Sequence, residues 1–152
     1  MIRLIGEIFK LCKEDEDYDM FKEMGYCEDE ESYILNMYFD LDGAKTLKSK
    51  FETALNEGKS TITVDENSFL EEGNTINELV IISKTPPIDG EIYEFDYHSK
   101  TITLKMINDV VDYCMYNFNN CIEGGEFFPP EICDVDYKDT EISIYGIFKP
   151  EI

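Results

Sequence analysis

The groups in this 152-residue chain that are able to carry chemistry are one histidine, five cysteines and thirty-four carboxylates. His98 lies beside Asp96 in a short turn, His98-Ser99-Lys100. A nucleophile–histidine–acid relay there would need a Cys or Ser brought to that turn and a third group to orient the imidazole, whereas a histidine in a turn is ordinarily just solvated. Cys12, Cys27, Cys114, Cys121 and Cys133 are odd in number and contain no C-x-x-C pair. They read as reduced, buried thiols rather than a disulfide framework, and with one histidine they offer no zinc-ligand spacing. Asp40-Leu41-Asp42-Gly43 has the look of a calcium loop. Placing Gly43 at the sixth position puts Tyr38 first and Ser49 twelfth, where oxygen ligands and Glu are required, so Asp42 reads as a helix cap. Gly124-Gly125 lacks the Lys-Ser/Thr of a phosphate loop. No cofactor or metal is expected.

What remains is the acid itself. Thirty-four Asp and Glu against thirteen Lys and Arg give a formal charge of −21, where about 2–8 suffices for the solubility of a small domain. The acids are threaded through stretches rich in Ile, Val, Phe and Tyr, so a folded body carries them on its surface. That field repels nucleic acid and anionic membrane and attracts basic proteins. Two runs stand out: Glu14, Asp15, Glu16 and Asp17, and Glu28, Asp29, Glu30 and Glu31. Tyr18, Phe21, Tyr26 and Tyr33 lie among them as aromatic anchors of the kind that dominate interface energetics. Carboxylates spaced like backbone phosphates can occupy a basic cleft, and complementarity of this sort raises association rates. These twelve residues are the candidate partner-binding set; no catalytic residue is assigned. The one positive segment, with Lys45, Lys48, Lys50 and Lys59, reads as the outer face of a helix.

The elements that must position these groups follow from periodicity. Residues 2–11 read as a strand or short helix, and Tyr18, Met20, Phe21 and Met24 have helical spacing closed by Gly25. Residues 33–39 have strand composition. Residues 44–57 give the clearest helix, with Leu47, Phe51, Ala54 and Leu55 on one face, Asp42 as N-cap and Gly58 as stop. Thr61–Val64 alternates as a strand, Asp65 to Asn74 is a polar connection, and Glu78–Ile82 is an apolar strand. Pro86-Pro87 and Asp89-Gly90 mark a break. Residues 91–97 and 101–105 form a hairpin about His98-Ser99-Lys100, and Ile107, Val110, Val111, Cys114 and Phe118 line a second helix. Phe127-Phe128-Pro129-Pro130 is a stiff connector before a last strand at 142–148. The expectation is an α+β fold with a mostly antiparallel sheet of about five to seven strands covered by two or three helices. Residues 1–152 would form a single compact domain, with 84–90 the place where two lobes would divide. Met1 leads straight into Ile2-Arg3-Leu4 with Glu7 interrupting the apolar run, so a soluble, cytoplasmic protein without a signal peptide is expected.

Residues 87–118, in which Asp89-Gly90-Glu91-Ile92-Tyr93 precedes a Thr101–Leu104 strand and a helix, resemble the later part of the SUKH superfamily of bacterial immunity proteins, where a G-x-V/I-Y strand precedes a strand and helix of similar length. Residues 60–83, running from Thr61–Val64 through Leu70-Glu71-Glu72-Gly73 to Leu79-Val80-Ile81-Ile82, are similar to other small α+β immunity proteins. The resemblance implies a non-enzymatic cytosolic protein that binds a cognate toxin, often a basic nuclease, and blocks its active site or substrate groove. Two alternatives stand beside it: a phage-encoded anti-defence inhibitor or nucleic-acid mimic acting on a host nuclease, and a small enzyme built on buried carboxylates. The enzyme would require a concave site holding two or more acids, one with a strongly raised pKa.

Overall fold

In the computed structural model, residues 1–10, 13–14, 16–25, 31–85 and 93–150 are described. Among these described residues three helices and ten strands follow in the order β1 (Ile2–Lys10), α1 (Tyr18–Glu23), β2 (Glu31–Phe39), α2 (Leu41–Glu57), β3 (Lys59–Thr63), β4 (Phe69–Glu71), β5 (Asn74–Thr75), β6 (Glu78–Lys84), β7 (Glu94–His98), β8 (Thr101–Ile107), α3 (Asn108–Gly124), β9 (Glu131–Tyr137) and β10 (Thr140–Phe148). The class is α+β. The strands divide between a six-stranded sheet, ordered β5-β4-β1-β2-β10-β9, and a four-stranded one, ordered β3-β6-β8-β7. Most ladders are antiparallel, but β1 with β4, β2 with β10 and β6 with β8 run parallel. No helix among the described residues is long and apolar enough to cross a membrane.

The two sheets meet through their alternating apolar positions. Leu4, Leu35, Met37 and Ile144 of the larger sheet and Leu79, Ile81, Ile102 and Leu104 of the smaller one line the same void of about 20 Å³. One buried cluster therefore takes residues from both sides of 84–90, such as Phe51 and Ile81 before it and Leu104 and Phe118 after it. Residues 86–90, with the Pro-Pro break, lie outside the described residues. Helices α2 and α3 close the core with Leu47, Phe51 and Ala54 from one and Val111, Cys114, Phe118 and Cys121 from the other. Phe118 is the hub: its ring lies 5.5 Å from Phe39, 5.1 Å from Phe51 and 5.0 Å from Phe127.

Several local features depart from expectation for identifiable reasons. The α2 N-cap is Asp40, not Asp42: its extended backbone lets the carboxylate accept the Gly43 N–H at 2.8 Å, and the helix starts at Leu41. The polar connection Asp65–Asn74 contains β4 and the first residue of β5, held to β1 where the Leu4 amide donates to Ser68 Oγ at 3.0 Å. Residues 131–137, unassigned from sequence, form β9 and close a hairpin with β10 through Lys138 and Asp139, both at positive φ. Ser99 and Lys100 make the corresponding turn between β7 and β8. Two successive left-handed residues are what a tight antiparallel hairpin of matching twist requires.

Gly6 is where two strands come closest. A Cβ built there would lie 1.7 Å from the Leu70 carbonyl oxygen, so no side chain fits unless β4 leaves β1. We expect Gly6→Ala to destabilise the fold by about 1–3 kcal/mol, the range for overpacking. Hydrogen exchange should show protection lost first in β4 and β5; unaltered exchange there would mean that β4 tolerates displacement freely.

Candidate functional site

The structure distributes the twelve sequence-selected residues unevenly. Glu14, Glu16 and Asp17 are exposed in the turns before α1, and Tyr18 and Phe21 are half-buried on that helix. The Lys22 ammonium lies 5.5 Å from the Tyr18 ring centre, so part of this short helix is engaged internally. Asp15, Tyr26, Glu28, Asp29 and Glu30 lie outside the described residues. Glu31 and Tyr33 open β2, and these two reach a concave site.

That site sits where the end of α1 approaches the start of β2 and the β9–β10 hairpin. Its volume is about 630 Å³, and its lining includes Met24, Gly25, Glu31, Tyr33, Glu131, Asp134, Asp139, Thr140, Glu141 and Tyr145. The register explains the convergence. Asp134 stands opposite Ser143, Asp136 opposite Glu141, and Glu131 opposite Tyr145. Alternate residues of a strand share a face, and a bulge that pairs Tyr145 with Glu131 directly after Ile144 with Cys133 shifts the alternation by one. Glu131 therefore joins Asp134 and Glu141 on the face turned away from the core, while Cys133 and Val135 point inward and are buried. Five carboxylates thus surround one hollow, and no described residue lining it is basic.

Their mutual repulsion is visible in the chemistry of Glu131. Partial burial, then the charges of Asp134 and Glu141 and a hydrogen bond to Asp134, push its carboxyl above the ordinary carboxylate range. Two carboxylates elsewhere are stabilised instead: the Asp40 carboxyl is held below its usual range by the Met1 amino group 2.6 Å away, and that of Asp65 is lowered chiefly by the Asn67 amide, with Arg3 adding to it. No group of three or more His, Cys, Asp or Glu side chains among the described residues is arranged to hold a metal ion.

Among the described residues the remaining candidates supply no nucleophile. His98 is an exposed residue ending β7, opposite Thr101. Cys114 and Cys133 are buried thiols pushed up to about 12, and Cys121 up to about 11, all chiefly by burial. Thiols with such values are not ionised at neutral pH and do not act as nucleophiles. Cys12 and Cys27 lie outside the described residues.

Sequence inspection missed Glu131, Asp134, Asp139 and Glu141 because they are dispersed and become neighbours only through the β9–β10 register. The partial signal was the alternation of Cys133-Asp134-Val135-Asp136, which marks a strand with one acidic face; Glu131 falls out of that alternation and joins the face only through the bulge opposite Tyr145.

No protein-family model matches the chain, and no curated protein does. Among solved structures it is similar to Drosophila Suppressor of Fused, with a TM-score of 0.41 and 12% sequence identity. The alignment covers 97% of this chain and 40% of that one. Likeness of this degree transfers neither fold family nor function, so the function rests on the chemistry of the chain itself.

Proposed function

We propose that this chain is a non-enzymatic acidic binding protein that neutralises a basic protein partner, acting as an immunity-type inhibitor of a nuclease-type toxin. The observation that carries the reading is the hollow lined by Glu31, Glu131, Asp134, Asp139 and Glu141, with no Lys or Arg among its described lining residues. Unrelieved repulsion of this kind is relieved by an incoming guanidinium or ammonium, with charge-assisted hydrogen bonds each contributing about 1.5–3 kcal/mol. A nuclease presents such cations where it grips phosphate, so occupying them would deny the substrate its site. The overall charge of −21 adds long-range steering.

The Glu131–Asp134 pair also meets one requirement of the carboxylate-enzyme alternative. Glu131 is nevertheless exposed, whereas acid–base work near neutral pH draws on burial deep enough to drive two pKa values far apart.

The test is affinity capture by the tagged protein from its source cells, washed at low and then moderate salt, followed by assay of the purified partner. A basic nuclease that loses activity on stoichiometric addition of this protein, with inhibition weakening as salt rises, is the expected result. A captured nuclease belonging to host defence would shift the reading to an anti-defence inhibitor. Retention of no basic protein, or of one whose activity is unaffected, would overturn the proposal.

A further inference from the structure

The core-facing stripe of the larger sheet runs on beyond its cover. Inward positions of β1 are Ile2, Leu4, Gly6 and Ile8, and opposite them in β2 stand Phe39, Met37, Leu35 and Tyr33. Leu4 and Leu35 are buried, yet Ile8 is 60% exposed and Tyr33 is 38% exposed. Phe69, beside Ile5 in the next strand, is 37% exposed. With Leu70 and Ile142 these side chains line an open groove of about 360 Å³. Single exposed apolar residues are ordinary on a protein surface. Three large ones gathered on one groove, Ile8 and Tyr33 from the core-facing side of the sheet and Phe69 from the neighbouring strand, are the mark of a contact surface.

The charge around the groove selects its occupant. Glu71 and Glu72 stand on its lining, and the one lysine there, Lys138, has its ammonium 5.2 Å from the Tyr137 ring centre. At Tyr33 and Thr140, which line both, the groove adjoins the acidic hollow; the carboxylates of β9 and β10 lie on the other side of the sheet, so a segment that engages both passes round this end of it. A second copy of the chain would bring −21 against −21, and anionic lipid or nucleic acid would be repelled likewise. An uncharged ligand would fill the groove and leave the adjoining carboxylates as they are. The complement to both halves is a chain segment that is apolar at one point and cationic nearby.

We infer that the groove and the acidic hollow form one bipartite docking surface for an extended segment of a basic protein, with a large apolar side chain seated against Ile8, Tyr33 and Phe69 and an Arg or Lys placed among Glu31, Glu131 and Glu141. This rests on the reading of the chain as an acidic binding protein and adds to it an apolar anchor and a sequence preference. Affinity in protein interfaces is concentrated in a few buried aromatic or Arg anchors, while charge complementarity chiefly sets association rate and register.

The test uses blocked, dye-labelled peptides in a Gly-Ser frame, each with one Phe separated from an Arg pair by one to four serines, titrated with the full chain by fluorescence anisotropy. At least one spacing should bind saturably. Replacing its Phe by Ser, or using the Ile8→Ser/Tyr33→Ser protein, should each weaken binding by about tenfold or more with little change in salt dependence. Glu131→Gln/Glu141→Gln should instead flatten the salt dependence. Circular dichroism melting confirms that each variant is folded, and Phe69→Ser serves as a second groove variant should the first pair fail to fold. Binding that is indifferent to the Phe and to the groove variants would overturn the bipartite surface while leaving the acidic reading intact. No saturable binding at any spacing would also overturn it, with capture of a whole basic partner deciding the acidic reading separately. A dimer in sedimentation that Ile8→Ser dissolves would make the occupant a second copy and overturn the inference as well.

Discussion

Phe118→Ala is expected to lower the unfolding free energy by about 3–5 kcal/mol, the usual loss for a buried phenylalanine. Phe118 is fully buried and touches rings from β2, α2 and the connector after α3. Its contact with Phe127 is stacked and those with Phe39 and Phe51 are edge-on, geometries that contribute about 0.5–1.5 kcal/mol per pair beyond area burial. The loss is a large share of the roughly 5–15 kcal/mol that holds a domain of this kind together. Urea unfolding measures it: the midpoint should fall while the slope stays constant. A change below about 1 kcal/mol would show that the neighbouring rings collapse into the gap, and that α3 is not fastened to the sheets through this residue.

The second large effect concerns the acidic hollow. Reversing Glu131, Asp134 and Glu141 together to Lys should slow association with a basic partner by about 10–1,000-fold at low ionic strength and remove most of its salt dependence. Stopped-flow association across a salt series reads both, and an unchanged rate would take the hollow out of the interface. The free protein should respond in the opposite sense. Because the Glu131 carboxyl is raised in the folded state, the stability it contributes is full below its unfolded value near about 4.3. That contribution is lost as pH rises through the folded value. Glu131→Gln should therefore raise the melting temperature at neutral pH and flatten its slope just above that window. Asp40 and Asp65, whose carboxyls are lowered, have the reverse dependence. The difference between wild type and Glu131→Gln isolates the one site. A residue whose neutralisation stabilises the protein yet weakens its partner has the signature expected of a binding position.

Much of the fold was legible because its segments are strongly periodic. Leu47, Phe51 and Ala54 at helical spacing, and the hairpin of β7 and β8, announce themselves locally, although His98, read as part of the turn, ends β7 and the turn is Ser99-Lys100 alone; residues 91 and 92 of the expected strand lie outside the described residues. The division into two sheets was not legible, because it depends on pairings between distant strands: β10 lies beside β2, and β8 beside β6. β4 and β5 escaped notice because they are only three and two residues long, held by Ser68 and by the absence of a side chain at Gly6 rather than by composition. For the site, consecutive acids at 14–17 and 28–31 drew attention because they are adjacent in sequence. Of these runs only Glu31 lines the hollow among the described residues. Its other carboxylates are assembled by strand register, a property with no sequence-local signature.

The parallel ladder between β2 and β10 sets Tyr33 against Ile142 and Phe39 against Phe148, joining segments made early and late on the ribosome. While the chain is being synthesised, β1 and β2 emerge with the far edge of β2 lacking its neighbour, and long-range pairings of this kind are slow to close. The hollow is divided in the same way, with Glu31 supplied early and Glu131, Asp134 and Glu141 late. A nascent chain that has not yet made β9 and β10 therefore carries most of the negative charge of these residues but not its arrangement. Pairing of β9 and β10 onto the waiting edge completes the hollow, and the same event removes the exposed strand edge that would otherwise invite aggregation.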